Sequence, residues 1–220
     1  MGCSGCAKTN ARKLIRMYIP GFNTFPDKQE VISFMRKYSF GTIITSVNNL
    51  PVATHLPFLV DEKDGEVVIS SHFAKANPQA LDVNDNTNLV IFTEPHAYIS
   101  PKNYPKEAEV PTWNYIAVHA YGKARLLQTE EEHLNLLERT INNYEAEYFD
   151  QWQKLPHEFK SKMIKGIVGF EIVVTDLQAK SKLSQNRSEV EKENIIHSLS
   201  ESLSESERGV AQYMSSLKKY

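Results

Sequence analysis

The feature that most constrains this chain is a succession of short β-prone segments, separated by tight turns, in its first third. Segments 42–47, 51–60 and 66–73 are rich in β-branched and apolar residues, which favour strands. An Asn-Asn pair separates the first two segments, and a short polar turn ending in Gly65 separates the last two. Adjacent hairpins of this kind predict an antiparallel sheet rather than the strand–helix–strand repeats of a Rossmann fold.

The rest of the chain adds further strands with helices inserted between them. Strands are predicted at 88–93, 113–127 and 167–174. Helices are predicted at 27–38, 129–149 and 156–165. Capping signals mark the start of the first two helices, and Gly122 marks a bend in the longest strand. The predicted fold class is mainly β with flanking helices, in a closed or nearly closed antiparallel barrel.

Size and composition place the chain among soluble globular proteins. It has 220 residues, of which 41% are hydrophobic and 24% are charged, so a substantial core can form. No apolar run approaches the ~20 residues that a membrane-spanning helix needs. The two cysteines, Cys3 and Cys6, lie at the N-terminus, which leaves the fold without a disulfide framework. This usage suits a reducing compartment, and we expect a cytoplasmic protein.

The first sixteen residues differ in character from the rest of the chain. Residues 1–16 hold four basic and no acidic residues, and Met17 begins a new style of sequence, so 1–16 is interpreted as an upstream extension or a cloning remnant. Two rival interpretations are a myristoylation signal and half of a zinc site. The first has Cys6 where Ser or Thr is needed, and the second lacks a following ligand pair.

The predicted barrel domain spans 17–187, and 188–220 forms a helical tail rich in Ser and Glu. Ile195, Leu199 and Leu203 have helical spacing in this tail, which predicts a short amphipathic helix in a mobile or partner-dependent segment.

Charge and motifs exclude several classes of function. Without the four basic residues of the N-terminal segment, 21 of the 25 Lys and Arg remain against 27 Asp and Glu, a formal net charge of −6. This body has no basic stripe of the kind that binds nucleic acid. The sequence contains no dinucleotide fingerprint, no Walker A motif and no nucleophile elbow, and its seven histidines lack the spacing of a metal site. We predict no metal and assign no catalytic residue.

Two polar segments interrupt the predicted strands near their ends. His55 and Pro57 lie in the second strand, where the alternative interpretation is an edge strand with an exposed histidine. The second segment follows the third strand and offers hydroxyls, an imidazole, a cation and an amide: Ser70, Ser71, His72, Lys75 and Asn77. Such donors at a strand-to-turn junction suit a phosphate dianion, although a solvated loop explains them equally.

Two later segments add donors and aromatic rings. After the last strand come Ser184, Gln185, Asn186 and Arg187, which suit an anion and the edge of a heteroaromatic ring. A long irregular connection is predicted at 94–115. Thr112, Trp113 and Asn114 lie near its end. Its aromatic rings suit stacking on a planar ligand, and they equally suit filling one end of the barrel or packing at a dimer interface.

Six ordered blocks together resemble a known family. In chain order they read MYIP, THLPF, HFAKANP, PHAYISPKNY, VPTWNY and KLSQNR, from Met17 to Arg187. This combination resembles the PaiB family, which comprises bacterial FMN-binding proteins described as negative transcriptional regulators and linked to protease production and sporulation.

The resemblance implies a split barrel like those of flavin reductases and pyridoxamine-phosphate oxidases, in a homodimer with FMN at the subunit interface. It implies that Lys75, with Ser71 and Asn77, contacts the phosphate. It further implies that His55 and Pro57 pass beside the isoalloxazine or ribityl chain. Residues 112–114 and 184–187 would complete the pocket, the latter from the same or from the other subunit.

Three functions are carried as hypotheses. The first is an FMN-binding regulator, with DNA or a regulatory protein as a partner on family association alone, since no DNA-reading helix is apparent. The second is a flavin-dependent reductase or oxidase of a small substrate, contacted by His96, Tyr98 and Tyr104. The third is a heme-handling split barrel with an axial ligand among His55, His72 and His119.

Overall fold

A computed structural model describes residues 16–25 and 27–217. Seven strands form one sheet: β1 Phe40–Val47, β2 Leu50–Pro57, β3 Leu59–Lys63, β4 Glu66–Ala74, β5 Thr87–Ile99, β6 Thr112–Leu126 and β7 Ile167–Lys182. The α-helices are α1 Lys28–Lys37, α2 Glu130–Tyr144, α3 Phe149–Lys154, α4 His157–Ile164, α5 Glu189–Ser200 and α6 Glu205–Leu217. Short 3-10 turns occur at Gly21–Asn23, Pro78–Leu81, Pro101–Asn103 and Ala146–Tyr148.

The strand order shows that the sheet curls into a barrel. All pairs are antiparallel in the order β2-β1-β5-β6-β7-β4-β3. β2 and β3 lie at opposite ends of this order, yet only Phe58 separates them in the chain. The two ends of the sheet must therefore meet, and the Ser71 hydroxyl of β4 donates a hydrogen bond of 2.6 Å to the Pro57 carbonyl of β2. This is a split barrel, as predicted.

The predicted strand at 51–60 is wrong, because the structure divides it between the two edges of the sheet. Pro57 has no N–H to continue the ladder, so β2 ends there. Phe58 then turns inward with only 1% of its surface exposed. Its ring packs edge-on against Phe92 and Phe170, with centroid distances of 5.6 and 6.4 Å. This aromatic cluster fills the barrel where the edges meet.

β5 and β7 extend well beyond their predicted ends. β5 continues to Ile99 through a bulge between Thr93 and His96, so the predicted irregular connection shortens to 100–111. Pro95 indicates a loop in sequence, whereas a bulge accommodates proline within a strand. β7 runs to Lys182, because its polar second half still pairs with β6 as far as Tyr115. The predicted bend at Gly122 coincides with a register shift, and a Cβ there would lie 2.3 Å from the Val173 carbonyl oxygen.

The helices close the barrel and extend its core. The Asp27 carboxylate accepts a hydrogen bond from the Glu30 amide at the start of α1, and Thr129 with Glu132 forms the predicted capping box of α2. α2 ends at Tyr144 rather than near residue 149 as predicted. The 3-10 turn at Ala146–Tyr148 then leads into α3, which begins at Phe149.

The C-terminal segment forms two helices instead of the single one predicted. Ile195 and Leu199 of α5 are buried, and so are Val210 and Met214 of α6, in the same core as the barrel. Leu203, by contrast, is 98% exposed in the turn between the helices. The domain boundary at 187 stays a prediction. Within the described ranges, the helices are too short or too polar to cross a membrane.

Candidate functional site

The predicted site residues fall into two groups. The first, called the β4 group, comprises His55, Pro57, Ser70, Ser71, His72, Lys75 and Asn77, on β2, β4 and the turn after β4. The second surrounds a cavity of about 410 Å³ at the far end of β7, called the β7 cavity. Four predicted residues line this cavity: Thr112, Ser184, Asn186 and Arg187.

Half of the polar side chains of the β4 group, those of His55, Ser71 and Asn77, form hydrogen bonds within the protein. The Ser71 hydroxyl donates to the Pro57 carbonyl. The Asn77 amide donates to the Thr54 hydroxyl at 3.0 Å, and its oxygen accepts from the Gln79 backbone N–H at 3.0 Å. Ser71 and Asn77 therefore hold the strand and turn in place rather than offering free donors.

Gln79 is a residue that the sequence reasoning missed. Its side chain is 2% exposed and accepts from the Thr54 hydroxyl at 2.7 Å. Its NH₂ group contacts the Thr45 hydroxyl at 3.0 Å and the carbonyls of Ile43 and Val52 at 3.2 and 3.3 Å. A buried amide with this many partners fixes the Pro78–Leu81 turn against the β1–β2 hairpin. A lone glutamine in a turn gives no sequence signal of that role.

Ser70, His72 and Lys75 differ in what they can offer a ligand. The Ser70 hydroxyl is fully buried and has no hydrogen-bond partner in the described chain. Burial, reinforced by the nearby His133, lowers the pKa of His72, so its imidazole is neutral at physiological pH. The Lys75 backbone N–H donates to the Gly166 carbonyl at 2.8 Å, and its side chain is exposed. Lys75 is thus the cation that this group presents.

His55 belongs to the outer face of the barrel. Its Nδ1 lies 2.8 Å from the Thr42 hydroxyl, and its ring is stacked with Phe40. Pairing registers connect His55, Thr42, Ile91, His119 and Gln178 in one row across β2, β1, β5, β6 and β7. Paired residues point to the same side of a sheet, so this row crosses the outer face from His55 to the β7 cavity side.

The β7 cavity forms where β4 stops covering β7. β4 pairs with β7 only as far as Val173. Contacts from residues 17–24 lie along the remaining edge of β7. The Met17 backbone N–H donates to the Gln178 side chain at 2.7 Å, and Thr24 forms a bridge with Lys180. Residues that line the cavity but were not predicted include Tyr18, Phe22, Asn23, Tyr115, Lys180 and Lys182.

Three of the predicted residues near the cavity support the fold. Asn114 is fully buried, accepts from the Ser184 hydroxyl at 3.0 Å, and directs its NH₂ group at the Met214 sulfur. It therefore joins the barrel to α6. Ser184 itself has a φ of 59°, and the Gln185 side-chain oxygen accepts from the Leu183 N–H at 2.8 Å.

Trp113 and Arg187 have opposite environments. Trp113 is 51% exposed, and its ring lies 5.6 Å from His96 and 6.1 Å from Tyr98, between centroids. Arg187 instead makes a bidentate ion pair with Glu109, with both N–O distances 3.1 Å, and lies over the ring of Tyr104. Tyr104 is only 7% exposed beneath it. The guanidinium fork therefore already holds a carboxylate of this chain.

The two groups lie at opposite ends of β7. His72 pairs with Gly169, whereas Lys182 ends the strand thirteen residues later. At the usual rise per residue of a β-strand, these thirteen residues span about 40 Å along β7. None of the β4 group lines the β7 cavity.

The donors present fit a phosphorylated, planar cofactor. The β4 group offers an exposed ammonium for a phosphate, and the outer face and Trp113 offer flat apolar and aromatic surface. Residues 16–25 and 27–217 contain no cluster of three or more His, Cys, Asp or Glu that could hold a metal ion.

Comparisons with known proteins agree with this chemistry. Residues 17–176 match the family described as "Putative FMN-binding domain". The chain is 40% identical over 204 residues to "Protease synthase and sporulation protein PAI 2" of Bacillus subtilis, which covers 90% of this chain and 96% of the relative. The chain belongs to the PaiB family of FMN-binding proteins. FMN is the cofactor of this family, as the sequence predicted.

Members of the family and its structural neighbours extend beyond that relative. A protein of Emericella nidulans, AN0679, is 30% identical over 206 residues, covering 74% of this chain and 82% of its own length. The flavocytochrome Anf3 of Azotobacter vinelandii has a TM-score of 0.56 at 15% identity, with 70% of this chain and 67% of that chain covered. An FAD and heme binding protein of Mycobacterium smegmatis has a TM-score of 0.57 at 10% identity, with 71% of each chain covered. At these identities the likeness concerns the fold.

Proposed function

We propose that this protein is a homodimer that binds FMN at the subunit interface and acts in negative transcriptional control. One observation carries the dimeric site: the row of side chains from His55 to Gln178 crosses the outer face from the β4 group to β7, the strand whose far end borders the second group. Four inter-strand steps give the row a length of about 19 Å.

The outer face has the composition of an interface. Ile44, Leu89 and Ile91 point outward on β1 and β5 and are only partly buried, and Phe40 at the edge is 69% exposed. A contiguous apolar surface of this kind marks a contact with another protein surface. Burial already lowers the pKa of His119 in the same row, so a neutral imidazole faces the proposed contact.

A two-fold axis through this face completes the site. In an isologous dimer the same patch meets itself, so the β2 edge of one subunit lies over the β7 edge of its partner. The β4 group of one subunit then shares a ligand with the 112–114 and 184–187 segments of the other. A site shared between two subunits therefore accounts for the distance between the two groups within one chain.

Each residue then has a distinct role. Lys75 binds the phosphate, with its turn held by Asn77 and Gln79. His55 and Pro57 lie beside the ring system, and Thr112 and Trp113 of the other subunit cover it. Neutral His72 acts as a hydrogen-bonding group rather than a cation. FMN, when bound, supplies reversible one- and two-electron chemistry.

The regulatory role is supported by the Bacillus subtilis relative, whose name concerns protease synthesis and sporulation. The negative charge of residues 17–220 favours a regulatory protein partner over direct contact with DNA. A location in the cytoplasm and a DNA partner both stay predictions.

Sedimentation analysis combined with FMN titration tests the dimeric site. Ile91→Asp places a charge at the centre of the outer face, so we expect a monomer that retains its circular dichroism spectrum but loses most FMN affinity. Leu203→Asp is the matched control, because Leu203 is exposed in the α5–α6 turn and is not part of the sheet. A wild-type monomer with full FMN affinity, or an Ile91→Asp dimer that binds FMN normally, contradicts the proposal.

A further inference from the structure

We propose that His133 makes FMN binding sensitive to acid, because a proton on its ring releases the first turn of α2 from β7 and loosens the turn that carries Lys75. The inference rests on the proposed function only in its last step, the placement of the FMN phosphate at Lys75. Its first step concerns α2 and β7 alone.

His133 joins α2 to the start of β7 through both of its ring nitrogens. Nδ1 lies 2.8 Å from the Thr129 carbonyl oxygen, and the backbone N–H of Gly169 donates to Nε2 at 3.2 Å. A carbonyl only accepts and a backbone N–H only donates, so Nδ1 carries the proton and Nε2 is the acceptor. The imidazole in this contact is therefore neutral and held in a single tautomer.

A second proton has no place in this contact. It would go to Nε2, where one N–H would face another and the Gly169 amide would lose its acceptor. His133 is 9% exposed, which leaves little room for water to replace that acceptor while α2 stays docked. Protonation of His133 and its hydrogen bond with Gly169 therefore exclude each other.

The charged groups around α2 do not compensate for a charge on His133. On β4 the neighbouring ionisable group is His72, whose pKa is lowered by burial and then by His133, so it stays neutral. On α4, Lys160 lies over the Trp152 ring. None of the ion pairs found in this part of the described chain includes His133: they join Arg125 to Glu132 and Glu171, Lys63 to Glu171, Arg139 to Asp61, and His157 to Glu130. The other charged residues on the same helices are exposed, among them Glu131, Glu158 and Lys162.

The start of β7 connects this contact to Lys75. Gly169 pairs with His72 on β4, and three residues earlier the Gly166 carbonyl accepts from the Lys75 N–H at 2.8 Å. Glycine at 169 also lets the imidazole approach, since a Cβ there would lie 3.2 Å from the His133 ring. When the first turn of α2 leaves Gly169, segment 166–169 loses support on that side and holds the turn at Lys75 less firmly. Acid therefore weakens the contact with the FMN phosphate.

The direction of the effect follows from which form takes up the proton. A free imidazole binds a proton below about pH 6.5, so the released form of α2 is favoured as the pH falls and the docked form above that value. A phosphate monoester also binds a proton near about pH 6, so a variant that does not titrate is needed to isolate the part due to His133. His133→Gln is that variant, because its side-chain oxygen can accept from the Gly169 N–H at either pH.

Amide hydrogen exchange and nitrogen NMR of the imidazoles, on the FMN-loaded full-length protein, test the contact. At about pH 7.5 we expect the Nδ1–H tautomer of His133 and a protected Gly169 amide. At about pH 5.5 the protection of Gly169 should fall about tenfold in the wild type and stay unchanged in His133→Gln. His197→Gln is the control, because His197 is exposed on α5 and its variant should behave as the wild type.

FMN and riboflavin titrations at the same two pH values test the link to Lys75. The FMN affinity of the wild type should fall at least about threefold more than that of His133→Gln, with riboflavin affinity the same in both proteins. Constant Gly169 protection in the wild type, or an equal loss in His133→Gln, overturns the proposal. Equal changes of FMN affinity in the two proteins overturn it as well, because α2 and the flavin site would then be independent. If Lys75→Ala binds FMN as the wild type does, the phosphate assignment of the proposed function fails, whereas the exchange result still decides the His133 contact.

Discussion

The β4 group and the β7 cavity use polar side chains in opposite ways. In the β4 group Ser71, Asn77 and Gln79 bond to neighbouring strands, and Lys75 is presented on a fixed turn. In the β7 cavity the Asn23 side-chain oxygen is buried without a donor in the described chain, and the Lys180 ammonium lies over the rings of Tyr18 and Tyr115. Apart from the buried Ser70 hydroxyl, the first region is a hydrogen-bonded scaffold that displays one cation, whereas the second holds its cations beside aromatic rings and a hydroxyl.

This difference teaches how to separate structural from binding residues. Buried polar groups in proteins are normally hydrogen-bonded. A bonded group is therefore accounted for by the fold, whereas a buried group without a partner is a candidate for ligand binding. Substitutions in the β4 scaffold should therefore reduce stability, and substitution of the displayed cation should reduce binding.

The largest effect is expected at the centre of the scaffold. Gln79→Ala removes hydrogen bonds to two strands, β1 and β2, and leaves their groups unsatisfied, which should lower the free energy of unfolding by about 2–4 kcal/mol. Urea denaturation measures this, with Gln151→Ala on the exposed face of α3 as the control. A loss below that of the control shows that the network does not support the fold.

Lys75→Ala tests the displayed cation. Because the side chain is exposed, the free energy of unfolding should be nearly unchanged. FMN affinity should fall by about 1.5–3 kcal/mol, the usual contribution of a charged hydrogen bond, with riboflavin affinity unaffected. Fluorescence titration with both flavins measures the difference. Equal losses of affinity for FMN and riboflavin would show that Lys75 does not bind the phosphate.

The smallest effect concerns His72 and pH. Because burial lowers its pKa in the folded state, the unfolded chain binds the proton first as pH falls below about 6.5, and the folded protein loses stability. His72→Gln lacks this loss, so its stability relative to wild type should rise by less than about 1 kcal/mol between about pH 7.5 and about pH 5.5. Urea denaturation midpoints of both proteins at the two pH values measure this difference. A variant that becomes less stable relative to wild type as the pH is lowered would contradict the burial of a neutral imidazole.

Local signals predicted much of the fold. The Asn-Asn turn, the hairpin at Gly65 and the caps of α1 and α2 all occur where short-range chemistry requires them. The second halves of β5 and β7 escaped prediction, because Pro95 and a polar sequence obscure strands that only cross-strand pairing reveals. The division at Phe58 depends on barrel closure, which is likewise a long-range property.

The candidate site residues come from residue types in the sequence, and their binding of FMN stays a prediction. The segments around Lys75 and Ser184 were recognised because they gather donors in a few residues. Gln79 and Lys180 were missed, since burial of a single polar residue leaves no local pattern. Arg187 has the chemistry of an anion ligand, yet Glu109, distant in sequence, already occupies its fork.

Mixing two defective subunits tests the central claim that one FMN site draws on both groups across a dimer. Lys75→Ala disables the phosphate contact, and Asn186→Trp obstructs the cavity side, so each homodimer alone should bind FMN weakly. After unfolding together and refolding, half of the dimers are mixed, and each of these contains one intact site. We predict that FMN binding recovers to about one quarter of the wild-type stoichiometry. No recovery, with mixed dimers verified by mass spectrometry, would mean that the site lies within a single chain.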